Sequence, residues 1–249
     1  MYQAPEYDMA PRLSGRRRRL WVALLLGTAT VAYNGWLLEF LLPTGLDPRH
    51  SYVSELYAAD QPFQALFSGI EVTCALLVTA GALLARSTLP GRLAGTGCWA
   101  LIAFAAFSVA DTIVPMRCAP SVEPSCEAVN PWHTTTSALV HFAIFSSMAL
   151  LSAAARAERP GMPLIHRWGP WMLSCSMVAA VATVGPLFGG PGWHGVPQRV
   201  HLTLVGTWFA LLAVALVRLP THHESADRTP TAARIPRPTQ TASTNSAVT

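Results

Sequence analysis

The apolar residues of this chain come in blocks of about 20, the length a helix needs to cross a bilayer core of roughly 30 Å. No other feature constrains the fold as much. In hydrocarbon a backbone has to satisfy its own polar groups, and a helix does so within a single segment. Six blocks fall at 20–42, 63–85, 93–114, 132–155, 168–188 and 200–219. Only 12% of the 249 residues are charged and 51% are hydrophobic, whereas a soluble domain carries about a quarter charged residues. The reading is an all-α polytopic membrane protein, a six-transmembrane-helix bundle over 20–219.

All 17 basic side chains are arginine. An alanine-rich, lysine-free composition points to a GC-rich coding bias of the actinobacterial kind, so the net charge of +4 is a topology signal. No nucleic-acid motif is present, the expected partners are membrane lipids, and the expected location is a bacterial plasma membrane. With the N-terminus inside, 14 arginines fall on the inner side and three, Arg49, Arg117 and Arg199, on the outer side. Positive residues stay cytoplasmic, so both termini are expected there. Residues 1–19 read as a basic cytoplasmic segment ending in Arg16 to Arg19. A signal peptide cleaved after Thr30-Val31-Ala32 is the competing reading, but the apolar run continues to Leu42 and reads as a retained helix. Residues 220–249, rich in Thr, Ser, Pro and Ala, cannot bury enough surface to offset their ordering entropy and read as a disordered cytoplasmic tail. No internal repeat is evident.

The inner loops are short and plain, whereas the outer side holds most of the chemistry. Its first loop contains Ser51, Ser54, Glu55 and Asp60, and Tyr52 through Ala59 fits a short amphipathic helix on the membrane surface. The second outer loop contains Cys118 and Cys126 with seven residues between them. Disulfides persist in oxidising compartments, so a bridge is expected to hold the tops of the third and fourth spans, with two free thiols as the alternative. Cys74, Cys98 and Cys175 read as packing residues within spans.

Ionisable groups inside spans are costly and usually face the bundle interior or a wet cavity. Counted at about 1.5 Å per residue, Glu39 and Asp111 lie about 4.5 Å below the outer ends of their spans. His133, His201 and Arg199 fall in the same layer. Glu71 and His141 lie deeper, at roughly 12–14 Å, and are expected to pair, either structurally or as a proton relay. His133, Ser137 and His141 share one helix stripe, and Ser108 is three residues from Asp111. Asn130 suits the N-cap of the fourth span and Pro131 its first position. His133 then sits in the first turn, where the helix dipole favours a neutral imidazole, the form that a metal ligand or general base requires. An interfacial hydrogen-bonding role for these histidines needs no more than the same geometry.

Three stretches carry a resemblance: SYVSELYAADQPF after the first span, Asp111 with TIVP and Cys118 at the end of the third, and Trp132-His133 with Ser137 at the start of the fourth. Together they resemble the bacterial six-helix membrane proteins grouped as domain of unknown function 998. The resemblance covers about 20–219 and implies a six-helix fold, with Ser54-Glu55-Leu56, Asp111, Cys118, Cys126 and His133 as its marked positions. It implies no activity. A fainter similarity links the chain to the membrane hydrolases that include alkaline ceramidases and progestin/adipoQ-receptor proteins, which place a serine, an aspartate and three histidines around zinc. Ser54, Asp111, His133, His141 and His201 match by residue type. The chain departs in having six spans rather than seven and no late HxxxH pair, which His222 and His223 in the tail do not replace.

Three functional readings follow. The first is a non-enzymatic bundle, transporter-like, sensory or structural, whose extracytoplasmic cavity binds a small ligand or lipid through Glu39, Glu71, His141, Arg199 and His201. The second is a metal-assisted hydrolase of lipid amides or esters at the outer leaflet. Asp111, His133 and His201 would hold zinc, which would activate water, and Asp111, His133, Ser54 and Glu55 are its catalytic candidates. The third is a b-type haem or quinone protein using His133 and His201, disfavoured because only His166 lies at the inner side. No HExxH, GxSxG or comparable motif fixes a reaction.

Overall fold

The computed structural model describes residues 15–126, 130–157, 162–185 and 192–219. The expected tail, with His222 and His223, and most of the expected basic N-terminal segment lie outside the described residues. Among the described residues the chain is helical throughout, with no strand. Its long helices are α1 (Gly15–Tyr33), α2 (Gln64–Arg86), α3 (Arg92–Ile113), α4 (Pro131–Ala157), α5 (Pro163–Ala182) and α6 (Gly195–Val217). Gly15–Phe40, α2, α3, α4 and α6 are long and apolar enough to cross a membrane. This is the pattern of a multi-pass membrane protein. The helix at the fifth expected span is not among these five, because His166 and Arg167 in its first turn lower its hydropathy.

Each helix packs against its neighbours in sequence, and α6 closes the ring against α1. Tyr33, Phe104 and Phe209 meet edge to face at its centre, with ring centroids 5.6–5.7 Å apart. At one end of the ring, Arg19 Nη1 donates to the Leu219 carbonyl at 2.5 Å and Arg18 Nη1 to the Ser87 carbonyl at 3.3 Å. These arginines cap the orphan carbonyls that end α6 and α2, the position where a cation is favoured. Helix α1 therefore starts inside the expected polar segment.

The other end carries the irregular backbone, and there α1 stops early. A Cβ at Gly35 would lie 2.7 Å from Ile70 Cγ2 of α2, so only glycine lets the chain pass this close. From Gly35 to Phe40 it continues as a tighter 3-10 helix, and Asn34 Nδ2 returns a hydrogen bond to the Thr30 carbonyl at 2.9 Å. Glu39 thus sits on this extension and not on α1. The first loop forms a second 3-10 helix, Val53–Tyr57. Four of its residues, Val53 to Leu56, are buried, so it is an inward-packed roof and not the expected amphipathic surface helix.

Helix α4 starts as its sequence predicts, at Pro131. Asn130 Oδ1 accepts the backbone N–H groups of Trp132 at 3.1 Å and His133 at 3.4 Å.

Close helix contacts rest on small residues, as is usual where apolar lipid provides no driving force for association. At Gly97 an added Cβ would sit 2.7 Å from Leu151 Cγ and 3.3 Å from the Leu151 backbone nitrogen. Gly97→Val is therefore expected to push α3 from α4 and cost about 1–3 kcal/mol, read as a lower unfolding midpoint in detergent. Gly95→Val, where an added Cβ meets nothing within 4 Å, should leave the midpoint nearly unchanged. Equal losses at the two positions would contradict this packing.

Candidate functional site

The irregular end is held by side chains that bond to backbone. Arg199, one turn into α6, makes two parallel bonds to Glu39, Nε to Oε1 at 2.7 Å and Nη2 to Oε2 at 2.6 Å. Its Nη1 donates to the carbonyls of Pro48 at 2.7 Å, Ser51 at 2.9 Å and Gly195 at 3.1 Å. The guanidinium also lies 5.9 Å from the centre of the Trp36 ring. Both charges are buried and engaged by each other, so Glu39 and Arg199 form a structural pair, and neither lines the cavity beneath the roof.

Glu55 plays a similar part in the roof. It is 1% exposed. Its Oε1 accepts the Tyr52 N–H at 2.8 Å, and its Oε2 accepts the N–H and hydroxyl of Ser121 at 3.0 and 2.5 Å. Ser121 lies between Cys118 and Cys126, whose sulfurs are at disulfide distance with Cα atoms 5.9 Å apart. Glu55 thus ties the first loop to the second and has no free oxygen facing the bundle. Burial first, and then Glu55, push the Tyr52 hydroxyl up to about 12.

Beneath the roof lies a cavity of about 110 Å³ between α1, α2, α3, α4 and α6, room for several waters or a small solute. Glu71, Asp111 and His141 line it, with Ser54, Ser108 and Ser137. Asp111 accepts bonds from Ser137 Oγ at 3.0 and 3.1 Å, from the Thr136 hydroxyl, and a long one from Tyr57 at 3.5 Å. Burial, followed by the Asp111 and Glu71 carboxyls, raises the Tyr57 hydroxyl well above the ordinary tyrosine range, so it remains a neutral donor. His133 Nδ1 is 3.2 Å from Asp111 Oδ1. The angle is not that of a hydrogen bond, and this buried nitrogen has no hydrogen-bond partner.

The expected single layer of Glu39, Asp111, His133, His201 and Arg199 does not form. Helix α6 begins at Gly195, five residues before the expected start of its span, so His201 lies a further turn down. Its Nδ1 is 2.8 Å from the Ser176 hydroxyl and 3.1 Å from the Ser176 carbonyl. Its ring stacks on His141 with centroids 4.7 Å apart and planes at 17°. Asp111, His133 and His201 are thus split between two clusters, and no group of three His, Cys, Asp or Glu among the described residues could hold a metal ion. The expected zinc set of Asp111, His133 and His201 therefore does not fit.

Glu71 and His141 do face the same cavity, as their depths predict, but they are not a pair. His141 Nδ1 is 2.7 Å from the Ser137 carbonyl, one turn back on its own helix, and Glu71 joins none of the ion pairs among the described residues. Ser54 Oγ lies 3.6 Å from Met116 Sδ and has no base beside it. Tyr57, Thr136, Ser121 and Ser176 join these networks without a motif that marks them in the sequence. Tyr57 adjoins Ser54-Glu55-Leu56 and Thr136 adjoins Ser137, so proximity was a usable signal for both. A lone serine in an apolar helix, such as Ser176, carries none.

The family described as "Protein of unknown function (DUF998)" matches residues 27–215, from within α1 to the last turn of α6. No curated protein and no solved structure matches the chain.

Removing one member of a buried, hydrogen-bonded ion pair leaves an uncompensated charge and costs about 3–5 kcal/mol. Arg199→Gln is expected to destabilise by that order, and Glu39→Gln combined with it should restore part of the loss. The lasting deficit reflects the three carbonyls that Arg199 also serves. Strictly additive losses in a double-mutant cycle of detergent unfolding would show that the two side chains are uncoupled.

Proposed function

Because the chain belongs to the DUF998 family of proteins of unknown function, its activity has to be argued from the site, and we propose that it is a membrane-embedded binding protein whose cavity beneath the Val53–Tyr57 roof takes a small ligand from the extracytoplasmic side. The observation that carries this reading is the grouping of Glu71, Asp111 and His141 around one cavity between helices. Ionisable groups at bilayer depth are costly and tend to mark ligand or ion pathways.

In this reading six helices cross the membrane and both termini are cytoplasmic. Helix α5 is the sixth crossing, with His166 and Arg167 at the inner surface. The excess of 14 arginines over three supports that orientation, and the Cys118–Cys126 pair then faces an oxidising compartment. The membrane is the plasma membrane of a bacterium, in keeping with the lysine-free composition. The chemistry is binding: the Asp111 carboxylate is occupied by the hydroxyls of Thr136 and Ser137, Glu55 is occupied by the roof, and among the described residues no cluster that could hold a metal ion stands beside the cavity.

A ligand that binds only the folded state stabilises it by RT ln(1 + [L]/Kd), about 2.7 kcal/mol at a hundred times Kd. A panel of small charged and neutral solutes, screened by unfolding midpoint on purified protein, should therefore contain members that raise the midpoint of the wild type. The same solutes should not protect Val140→Phe, which fills the cavity from α4 and leaves its polar residues unsubstituted. If no solute shifts the wild type more than the filled variant, the binding reading falls.

A further inference from the structure

The carboxyl groups of the described bundle differ in what satisfies them. Glu39 has Arg199, Glu55 has the backbone of Tyr52 and both donors of Ser121, and Asp111 has His133, Thr136 and Ser137. Glu71 faces the cavity with the Ser108 hydroxyl as its hydrogen-bonding neighbour and no cationic side chain paired with it among the described residues. The rest of the lining has the same bias. It contains no arginine, and the chain has no lysine. An anionic ligand such as a phosphate or carboxylate would find no fixed counter-charge here. His141, with Nδ1 directed to the Ser137 carbonyl, offers in its neutral form only the acceptor Nε2. Tyr33, Trp36, Tyr57 and Phe67 supply aromatic surface, and ring faces attract cations, more strongly where water is excluded.

Resting on the cavity reading above, we infer that the ligand is a small organic cation, an amine or quaternary ammonium group, with Glu71 as its counter-ion and the aromatic side chains as its walls. Its source is either a free solute or the headgroup of a lipid. An apolar groove of about 860 Å³ runs between α1 and α2 and shares Ala32 and Ile70 with the cavity lining, so a chain attached to the headgroup could lie alongside in the groove. Both sources present the same charged group to Glu71.

The test compares tetramethylammonium with neopentyl alcohol, a neutral molecule of similar shape, at matched ionic strength on full-length protein in nanodiscs. Binding is read from the unfolding midpoint and from intrinsic tryptophan fluorescence. The wild type should bind tetramethylammonium saturably and at least tenfold more tightly than the alcohol. Glu71→Gln, which keeps the side-chain shape, should lose that preference while still unfolding cooperatively. If the variant does not fold, the wild-type comparison of the two probes decides alone. Equal binding of both probes, or protection only by neutral or anionic solutes, overturns the cation assignment and leaves the cavity reading standing. No saturable response to any solute removes both. Dodecyltrimethylammonium below its micellar concentration separates the sources: a gain over tetramethylammonium that Ile70→Trp abolishes assigns a lipid headgroup, and equal affinity assigns a free cation.

Discussion

The buried pair of Arg199 and Glu39 is the interaction on which the irregular end of the bundle depends. Taking two such charges out of water carries a penalty of several kcal/mol per ion, offset only where geometry is good and the remaining donors are used. Both conditions are met. The guanidinium engages both carboxylate oxygens and spends Nη1 on three carbonyls. Those carbonyls belong to the first loop and the first turn of α6, and Glu39 belongs to the extension of α1. One side chain thus joins three stretches of chain that otherwise share few contacts. A lysine could not replace it, because a single ammonium cannot grip a carboxylate in two parallel bonds and reach outward as well.

The need for such a hub follows from the backbone. Irregular chain near a bilayer leaves N–H and C=O groups that helices would have satisfied internally. Here charged and amide side chains take that work. Arg199 serves Pro48 and Ser51, Glu55 serves Tyr52 and Ser121, and Gln198 Oε1 accepts the Val53 N–H at 2.6 Å. Adjacent residues of α6, Gln198 and Arg199, therefore hold neighbouring parts of one loop. The polar residues that stand out in the loops are mostly occupied in building a roof, which is why Glu55 and Arg199 resemble functional groups in the sequence and prove to be structural.

What the sequence reveals about this fold depends on whether a helix boundary is marked. The start of α4 is marked by Asn130 and Pro131, and the helix begins where they place it, with His133 in its first turn. The start of α6 is not marked by apolarity, because Gly195, Pro197, Gln198 and Arg199 read as loop although they are helical. A start read five residues late puts His201 level with Asp111, whereas the structure stacks it on His141 and bonds it to Ser176. The break in α1 was hidden for a related reason. Residues 34–42 remain apolar across it, and the cause is a contact between Gly35 and Ile70 that no local pattern encodes.

Once the partners are assigned, the meaning of the remaining carboxyl changes. A buried acid alone does not distinguish a structural group from a functional one, since Glu39 and Glu55 are buried and structural. The distinction comes from what remains after the internal bonds are accounted for. Four side chains converge on Asp111, Tyr57 from the roof and His133, Thr136 and Ser137 from α4, whereas Glu71 faces open volume with Ser108 as its hydrogen-bonding neighbour. An apolar residue at that position would pack the bundle at no electrostatic cost, so the stability of the helices gives no reason for a glutamate there. A group whose negative charge is useful only when something positive enters the cavity does give one.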